Sequence, residues 1–94
     1  MAITVKFLGA LRHIFDADEL ALNIKDAISI KELINEIVRE IPALKQSLLL
    51  QQLEDLRSNT LILVNSREIS VLNGLETKIE DGYEIVFVPV VHGG

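Results

Sequence analysis

Few residues in this chain could do chemistry, and most of them can be set aside on spacing alone. There is no cysteine, so no thiol is available as nucleophile or metal ligand. The two histidines, His13 and His92, have no neighbours spaced as a metal site or a catalytic triad requires. His13 reads as a solvated loop residue and His92 as part of a tail. The 14 acidic residues are scattered along helix faces and turns and read as solvated surface. Neither G-x-x-x-x-G-K-S nor G-x-G-x-x-G occurs. No metal site, no bound cofactor and no catalysis by the chain alone are expected, since a domain of this size rarely encloses a substrate pocket.

The exception is the sequence VPVVHGG, Val88 to Gly94. A terminal pair of glycines arises by chance in roughly one chain in 200 at average usage, rare enough to ask what it does. A carboxylate is a poor electrophile until it becomes an anhydride, as in an acyl-adenylate. To be adenylated, a chain end must enter a narrow channel in another protein. Residues without Cβ permit that approach and leave the carbonyl open to a nucleophile on either side. Gly94 is therefore the candidate reactive residue, with Val91, His92 and Gly93 as the approach to it. Beyond Val88 six residues follow, with an extended reach of about 20 Å at roughly 3.3 Å each. Pro89 and the β-branched valines favour that extended form. With no thiol, the chain could carry sulfur only at its terminal carbonyl, as a thiocarboxylate on Gly94.

The rest of the chain must hold this end in place. Its 94 residues suffice for one domain, and the 49% apolar content argues against disorder. The expected division is a folded body over 1–89 and a flexible tail over 90–94. A net charge of −5 argues against binding a phosphate backbone, which needs clustered Lys and Arg. No signal peptide and no membrane-spanning run is read. The absence of cysteine favours a reducing, cytoplasmic setting.

Residues 2–8, AITVKFL, alternate, with Ile3, Val5 and Phe7 on one face and Thr4 and Lys6 on the other, as a half-buried strand does. A connection with one helical turn follows over 9–18. ELALNI, 19–24, alternates again and pairs antiparallel with the first strand by proximity. In SIKELINEIVREIP the period changes: Ile30, Leu33, Ile34, Ile37, Val38 and Ile41 form a helical stripe. Ser29 and Glu32 form a capping box at its start, and Pro42 marks its stop. A shorter, less regular helical segment is expected over 43–57, with Leu49, Leu53 and Leu56 on one face and Leu48 and Leu50 off it. TLILV, 60–64, reads as a central strand buried on both sides. NSRE is a turn, Ile69 to Val71 a short return strand, and Asp81-Gly82 another turn. EIVFVPVV, 84–91, is the last strand, with Pro89 at the end of its pairing because it lacks an N–H.

This order implies an α+β, β-grasp fold: a mixed sheet of about five strands, the last beside the first, crossed by one main helix. Parity places Ile85 and Phe87 in the core with Ile3, Val5 and Phe7. The helix residues Ile34, Ile37 and Val38 are expected against them and against Leu63. Val86 and Val88 then lie on the outer face, as a candidate docking patch.

LILVNSREIS and GLETKIEDGYEIVFVPVVHGG, together with the opening ITVKFLGALRHIF, resemble the MoaD/ThiS sulfur-carrier family, which includes the ubiquitin-related modifiers and small archaeal modifier proteins. Val64-Asn65, Gly74-Leu75-Glu76, Ile79, Asp81-Gly82, Glu84-Ile85, Pro89 and Gly93-Gly94 fall in the family's order. Tyr83 replaces the usual Asp or Thr. The single Pro89 replaces the Pro-Pro of molybdopterin-synthase small subunits, and His92 before the glycines is more like the modifiers of tRNA thiolation. The resemblance implies that a ubiquitin-activating-like adenylyltransferase uses ATP to adenylate Gly94, and that a persulfide sulfurtransferase converts it to a thiocarboxylate. It implies an apolar partner contact at Val88, and one at Phe7, which parity instead puts in the core. The leading expectation is the small subunit of molybdopterin synthase, partnered by the large subunit. The alternative is a modifier joined through Gly94 to target-protein lysines, or a carrier for tRNA thiolation. An interaction-only domain with idle glycines is the reading from another class.

Overall fold

The residues between Ser29 and Pro42 settle the orientation of everything else. Helix α2 spans Ile30–Glu40. The Ser29 Oγ accepts from the Glu32 N–H at 3.1 Å, and Glu32 Oε1 accepts from the Ser29 N–H at 3.2 Å. Two backbone donors that a helix start leaves unpaired are thereby satisfied. Ile30, Leu33, Ile34 and Ile37 are buried and Val38 is half-buried, so the apolar stripe faces inward as its spacing predicts. The Ile41 N–H donates to the Ile37 carbonyl, and Pro42 opens a 3₁₀ turn over Pro42–Leu44.

The computed structural model describes residues 1–15, 19–49 and 60–90. The strands are β1 (Ala2–Phe7), β2 (Glu19–Asn23), β3 (Ile28–Ser29), β4 (Thr60–Val64), β5 (Arg67–Glu68), β6 (Lys78–Ile79) and β7 (Glu84–Pro89); a short helix α1 covers Ala10–Phe15. Five strands form one mixed sheet in the order β2-β1-β7-β4-β5. β1 pairs antiparallel with β2 and parallel with β7, where Val5 stands opposite Ile85 and Phe7 opposite Phe87. β4 runs antiparallel to β7 on its other side. This is the expected β-grasp arrangement, with the last strand central beside the first.

One face of the sheet meets α2. Ile3, Val5, Phe7, Ile62, Val64, Ile85 and Phe87 are buried there with the helix stripe, and Leu20 and Leu22 of β2 pack against the margin. At 25 cal/mol per Å², each such aliphatic or aromatic side chain contributes roughly 1.5–3 kcal/mol on burial. The Asp81-Gly82 turn ties the two central strands at their start. Asp81 Oδ1 accepts from the Ala2 N–H at 2.7 Å, and the Gly82 N–H donates to the Ala2 carbonyl at 2.8 Å. Gly82 has φ +82°, a conformation glycine adopts without strain.

Several expectations change. TLILV is buried on one face only: Ile62 and Val64 point to the core, whereas Leu61 is 41% exposed and Leu63 half-buried on the opposite face. Leu63 therefore does not join the core with Ile37. The return strand falls two residues earlier than expected, at Arg67–Glu68, because Asn65 and Ser66 alone make the turn, both at positive φ. Ile69–Val71 is instead a 3₁₀ turn. After α2, Leu44 and Leu48 are buried, four residues apart, and Leu49 is half-buried. Leu50, Leu53 and Leu56 lie outside the described residues. The two-residue ladder of β3 and β6, Ile28 opposite Ile79, was not expected from the sequence. Among the described residues, no helix is long and apolar enough to cross a membrane.

Candidate functional site

The pleat that buries Ile85 and Phe87 turns Val86 and Val88 to the far side of the sheet, away from α2. Each is half-buried. Register then decides their neighbours: Leu63 of β4 stands opposite Val86, and Leu61 opposite Val88. These four side chains make a compact apolar block on the outer face, two from each strand. Leu8, just past the end of β1, is 41% exposed, and its N–H donates to the Phe87 carbonyl at 3.0 Å. The β1 chain thus places a fifth apolar residue beside the block.

Polar groups close its margins. Lys6, opposite Val86 across the parallel pair, reaches Glu84 with Nζ 3.0 Å from Oε2. Both side chains are about two-fifths exposed, so the pair contributes little to stability and serves mainly as a charged border. Glu68 stands opposite Leu63 on β5, and its carboxylate accepts from the Ser70 N–H. An apolar centre with a polar rim is the anatomy of a protein docking surface.

The same strand leads to the chain end. β7 finishes at Pro89, and the half-buried Val90 is the last described residue. Val91, His92, Gly93 and Gly94 lie outside the described residues. The structure brings Val86 and Val88 together on the outer face. It does not bring Phe7 there: Phe7 is 0% exposed and stacks on Phe87 beneath the sheet. The partner contact implied for Phe7 is corrected on this ground: the outward residues at that end of β1 are Lys6 and Leu8. His13 falls within α1 and not in a loop.

Leu61 and Leu63 were missed as surface residues. TLILV is apolar at four of its five positions, so no alternation marks an outward face. The signal that could have found them is pairing: once β7 parity is known, an antiparallel neighbour must show alternate residues on the same face.

A concavity of about 450 Å³ lies along α2 between Ile28, Glu32, Asn35, Glu36 and Arg39. Glu36 and Arg39 are paired to each other there, and among the described residues that line it no nucleophile stands beside a base. Glu32 has its carboxyl held below the usual value by the hydrogen bonds from Ser29, with Lys78 adding to the effect. That shift belongs to the helix cap and requires no catalytic role.

Comparison with known proteins places this geometry. The family model described as Urm1 (Ubiquitin related modifier) matches residues 2–94. Ubiquitin-related modifier 1 of Schizosaccharomyces pombe is 33% identical over 97 aligned positions, covering 100% of both chains. The solution structure of Urm1 from Trypanosoma brucei superimposes with a TM-score of 0.79 at 27% identity, covering 99% of this chain and 95% of that one. A chain of the BexX/CysO complex from Amycolatopsis orientalis aligns with a TM-score of 0.75 at 25% identity, covering 98% of this chain and 99% of that one. With a match across nearly its whole length and the β-grasp sheet in common, the chain belongs to the ubiquitin-related modifier family, within the ubiquitin-like sulfur carriers that its sequence resembles.

Proposed function

We propose that this chain is a sulfur carrier and protein modifier whose reactive group is the Gly94 carboxylate. The observation that carries the reading is the apolar block that Val86 and Val88 of β7, the strand that leads to the Gly-Gly end, form with Leu61 and Leu63 of β4. A partner seated on that block receives the tail directly. A ubiquitin-activating-like adenylyltransferase supplies the chemistry. The Gly94 carboxylate attacks the α-phosphate of ATP and pyrophosphate leaves, giving an acyl-adenylate. A persulfide sulfur attacks the acyl carbon and AMP leaves. A second thiol of the donor then cleaves the S–S bond, forming a disulfide and releasing the thiocarboxylate. ATP is bound by the partner.

The full-length match to the modifier family and the His92-Gly93-Gly94 ending support a tRNA base as sulfur acceptor, with attachment to lysines as the companion use of the activated glycine. The small-subunit role in molybdopterin synthase uses the same thiocarboxylate and differs only in acceptor. Reconstitution tests both levels. The purified chain, ATP and activating enzyme should release pyrophosphate, and a persulfide donor should then exchange one oxygen of the C-terminus for sulfur, read by mass spectrometry. Transfer of labelled sulfur to tRNA supports the thiolation reading; transfer only to a pterin precursor supports the molybdopterin role. Absence of adenylation would leave an interaction-only domain.

A further inference from the structure

Gly9 and Pro89 meet where β1 ends and where β7 gives way to the tail. Gly9 has φ +58°, and a Cβ built on it would lie 3.3 Å from Pro89 Cγ and 3.6 Å from Cδ. A side chain there is disfavoured twice, by the backbone conformation and by the proline ring.

Backbone bonding stops at the same place. The Thr4 N–H donates to the Tyr83 carbonyl at 3.1 Å and the Leu8 N–H to the Phe87 carbonyl at 3.0 Å. The odd-numbered residues of β7 therefore turn their backbone groups toward β1. In a parallel ladder the next bond would run from the N–H of residue 89 to the Leu8 carbonyl. Pro89 has no N–H to give, and Gly9 turns the chain away into α1. On the other side of β7 nothing is lost. The Asn65 N–H donates to the Glu84 carbonyl at 2.8 Å, so even-numbered residues face β4, and Pro89 stands opposite Thr60 without having to donate.

We propose that Gly9 and Pro89 are a positioning pair for the C-terminal tail: together they end the β1–β7 ladder at Phe87 and set the point from which the tail leaves the sheet. This rests on the reading of Gly94 as the reactive group. The pair lies next to the docking block without belonging to it, so it acts on the placement of the carboxylate and not on affinity.

Two substitutions test the pair. Gly9→Asn keeps a residue type that tolerates positive φ but adds a Cβ against the Pro89 ring. Pro89→Ala removes Cγ and Cδ and restores an amide at position 89. Gly9→Asn should lower kcat for adenylation by about tenfold, less than the roughly hundredfold of a 1 Å misplacement because the ring need shift by less than that, with KM changed less than about twofold. In the Pro89→Ala background the same change should have little further effect, because the ring it acts through is gone. A purely structural role for Gly9 would lower thermal stability equally in both backgrounds and leave kcat unchanged, which would overturn the proposal. Hydrogen exchange gives a readout independent of activity. The amide introduced by Pro89→Ala should exchange slowly, bonded to the Leu8 carbonyl; fast exchange there would overturn the account of the ladder. If the parent chain is not adenylated at all, the reading of Gly94 fails, and the exchange result still decides whether Pro89 ends the ladder.

Discussion

Phe7 and Phe87 stand opposite each other on neighbouring parallel strands, and their rings stack with centroids 5.8 Å apart and planes 28° apart. Both are fully buried under α2. The same two strands carry Lys6, Val86 and Val88 on their reverse side, so the aromatic pair is the floor on which the outer apolar block rests. Phe87→Ala should cost about 3–5 kcal/mol, from lost burial and the cavity left behind. That is a large part of the stability of a small domain, about 5–15 kcal/mol. Urea unfolding of the variant should show a strongly lowered midpoint; a midpoint near the parent's would remove the pair from the core.

Val88→Asp probes the other side of the same strand. Val88 is half-buried on the outer face, opposite Leu61, and its loss from a strand should cost about 1 kcal/mol in stability. Covering the new carboxylate with an apolar partner surface should cost about 1–3 kcal/mol in binding, roughly five- to 150-fold in affinity for the activating enzyme. Calorimetry of the parent and the variant, unfolded alone and titrated with the activating enzyme, separates these effects. An unfolded Val88→Asp protein would reverse the assignment of faces, and unchanged affinity would take Val88 out of the interface.

The hairpin between β4 and β5 turns on two non-glycine residues at positive φ, Asn65 at 48° and Ser66 at 73°. Asparagine tolerates that region through its short polar side chain, and its Oδ1 also accepts from the Glu84 N–H at 2.9 Å. Serine has no such advantage. Ser66→Gly should stabilise the fold by about 1 kcal/mol, which for a domain of this size raises Tm by about 4–8 °C. A lowered Tm would mean that the turn does not hold Ser66 in the left-handed region.

The helix cap sets a pH dependence. Glu32 has its carboxyl held below the usual 4.5, first by the hydrogen bond from the Ser29 backbone, then by that from its side chain, with Lys78 adding a charge contribution. Below that value the unfolded chain binds the proton more readily than the folded one, so stability rises with pH across this range. The contribution is fully present above pH 4.5 and is lost as pH falls through the lowered folded value. Glu32→Gln keeps a side chain able to complete the capping box but removes the titration. Urea midpoints of parent and variant should differ at neutral pH and converge in acid; a constant difference would show that Glu32 does not titrate with folding.

What could be read in advance depended on whether the signal was local. The α2 stripe and the Ser29–Glu32 box are neighbours in sequence, so both appear in the sequence as they do in the fold. The faces of β7 were legible because β1 alternates: Thr4 and Lys6 against Ile3, Val5 and Phe7 tell the sheet's inner side from its outer. β4 was not, because Leu61, Ile62, Leu63 and Val64 give no contrast and only their register with β7 assigns them. The ladder of Ile28 with Ile79 joins residues far apart in the chain, and two-residue strands leave no period to detect. At the candidate site, the Gly93-Gly94 pair was visible from composition and position. The docking block was half visible, through Val86 and Val88, and its β4 half waited on the pairing.

The length of the tail is itself a testable quantity. If the Gly94 carboxylate is the reacting group, the distance from the Leu61–Val88 docking pair to the chain end must match the distance from the partner's docking surface to its bound ATP. Deleting Gly94 withdraws the carboxylate by one residue, up to about 3.6 Å. A misplacement of 1 Å can cost on the order of a hundredfold in rate, so adenylation should fall at least that far. Adding one alanine after Gly94 fails for a different reason: it converts the glycine acyl carbon to an amide and places a Cβ in the narrowest part of the channel. Neither change touches a described core residue, so both variants should unfold at the parent's urea midpoint and bind the activating enzyme with the parent's affinity through the outer face. Neither should release pyrophosphate at more than about 1% of the parent's rate or exchange oxygen for sulfur when a persulfide donor is present. Adenylation of either variant at the parent's rate would show that the chain end is not what the partner reads, and the glycines would then be no more than the last two residues of a binding domain.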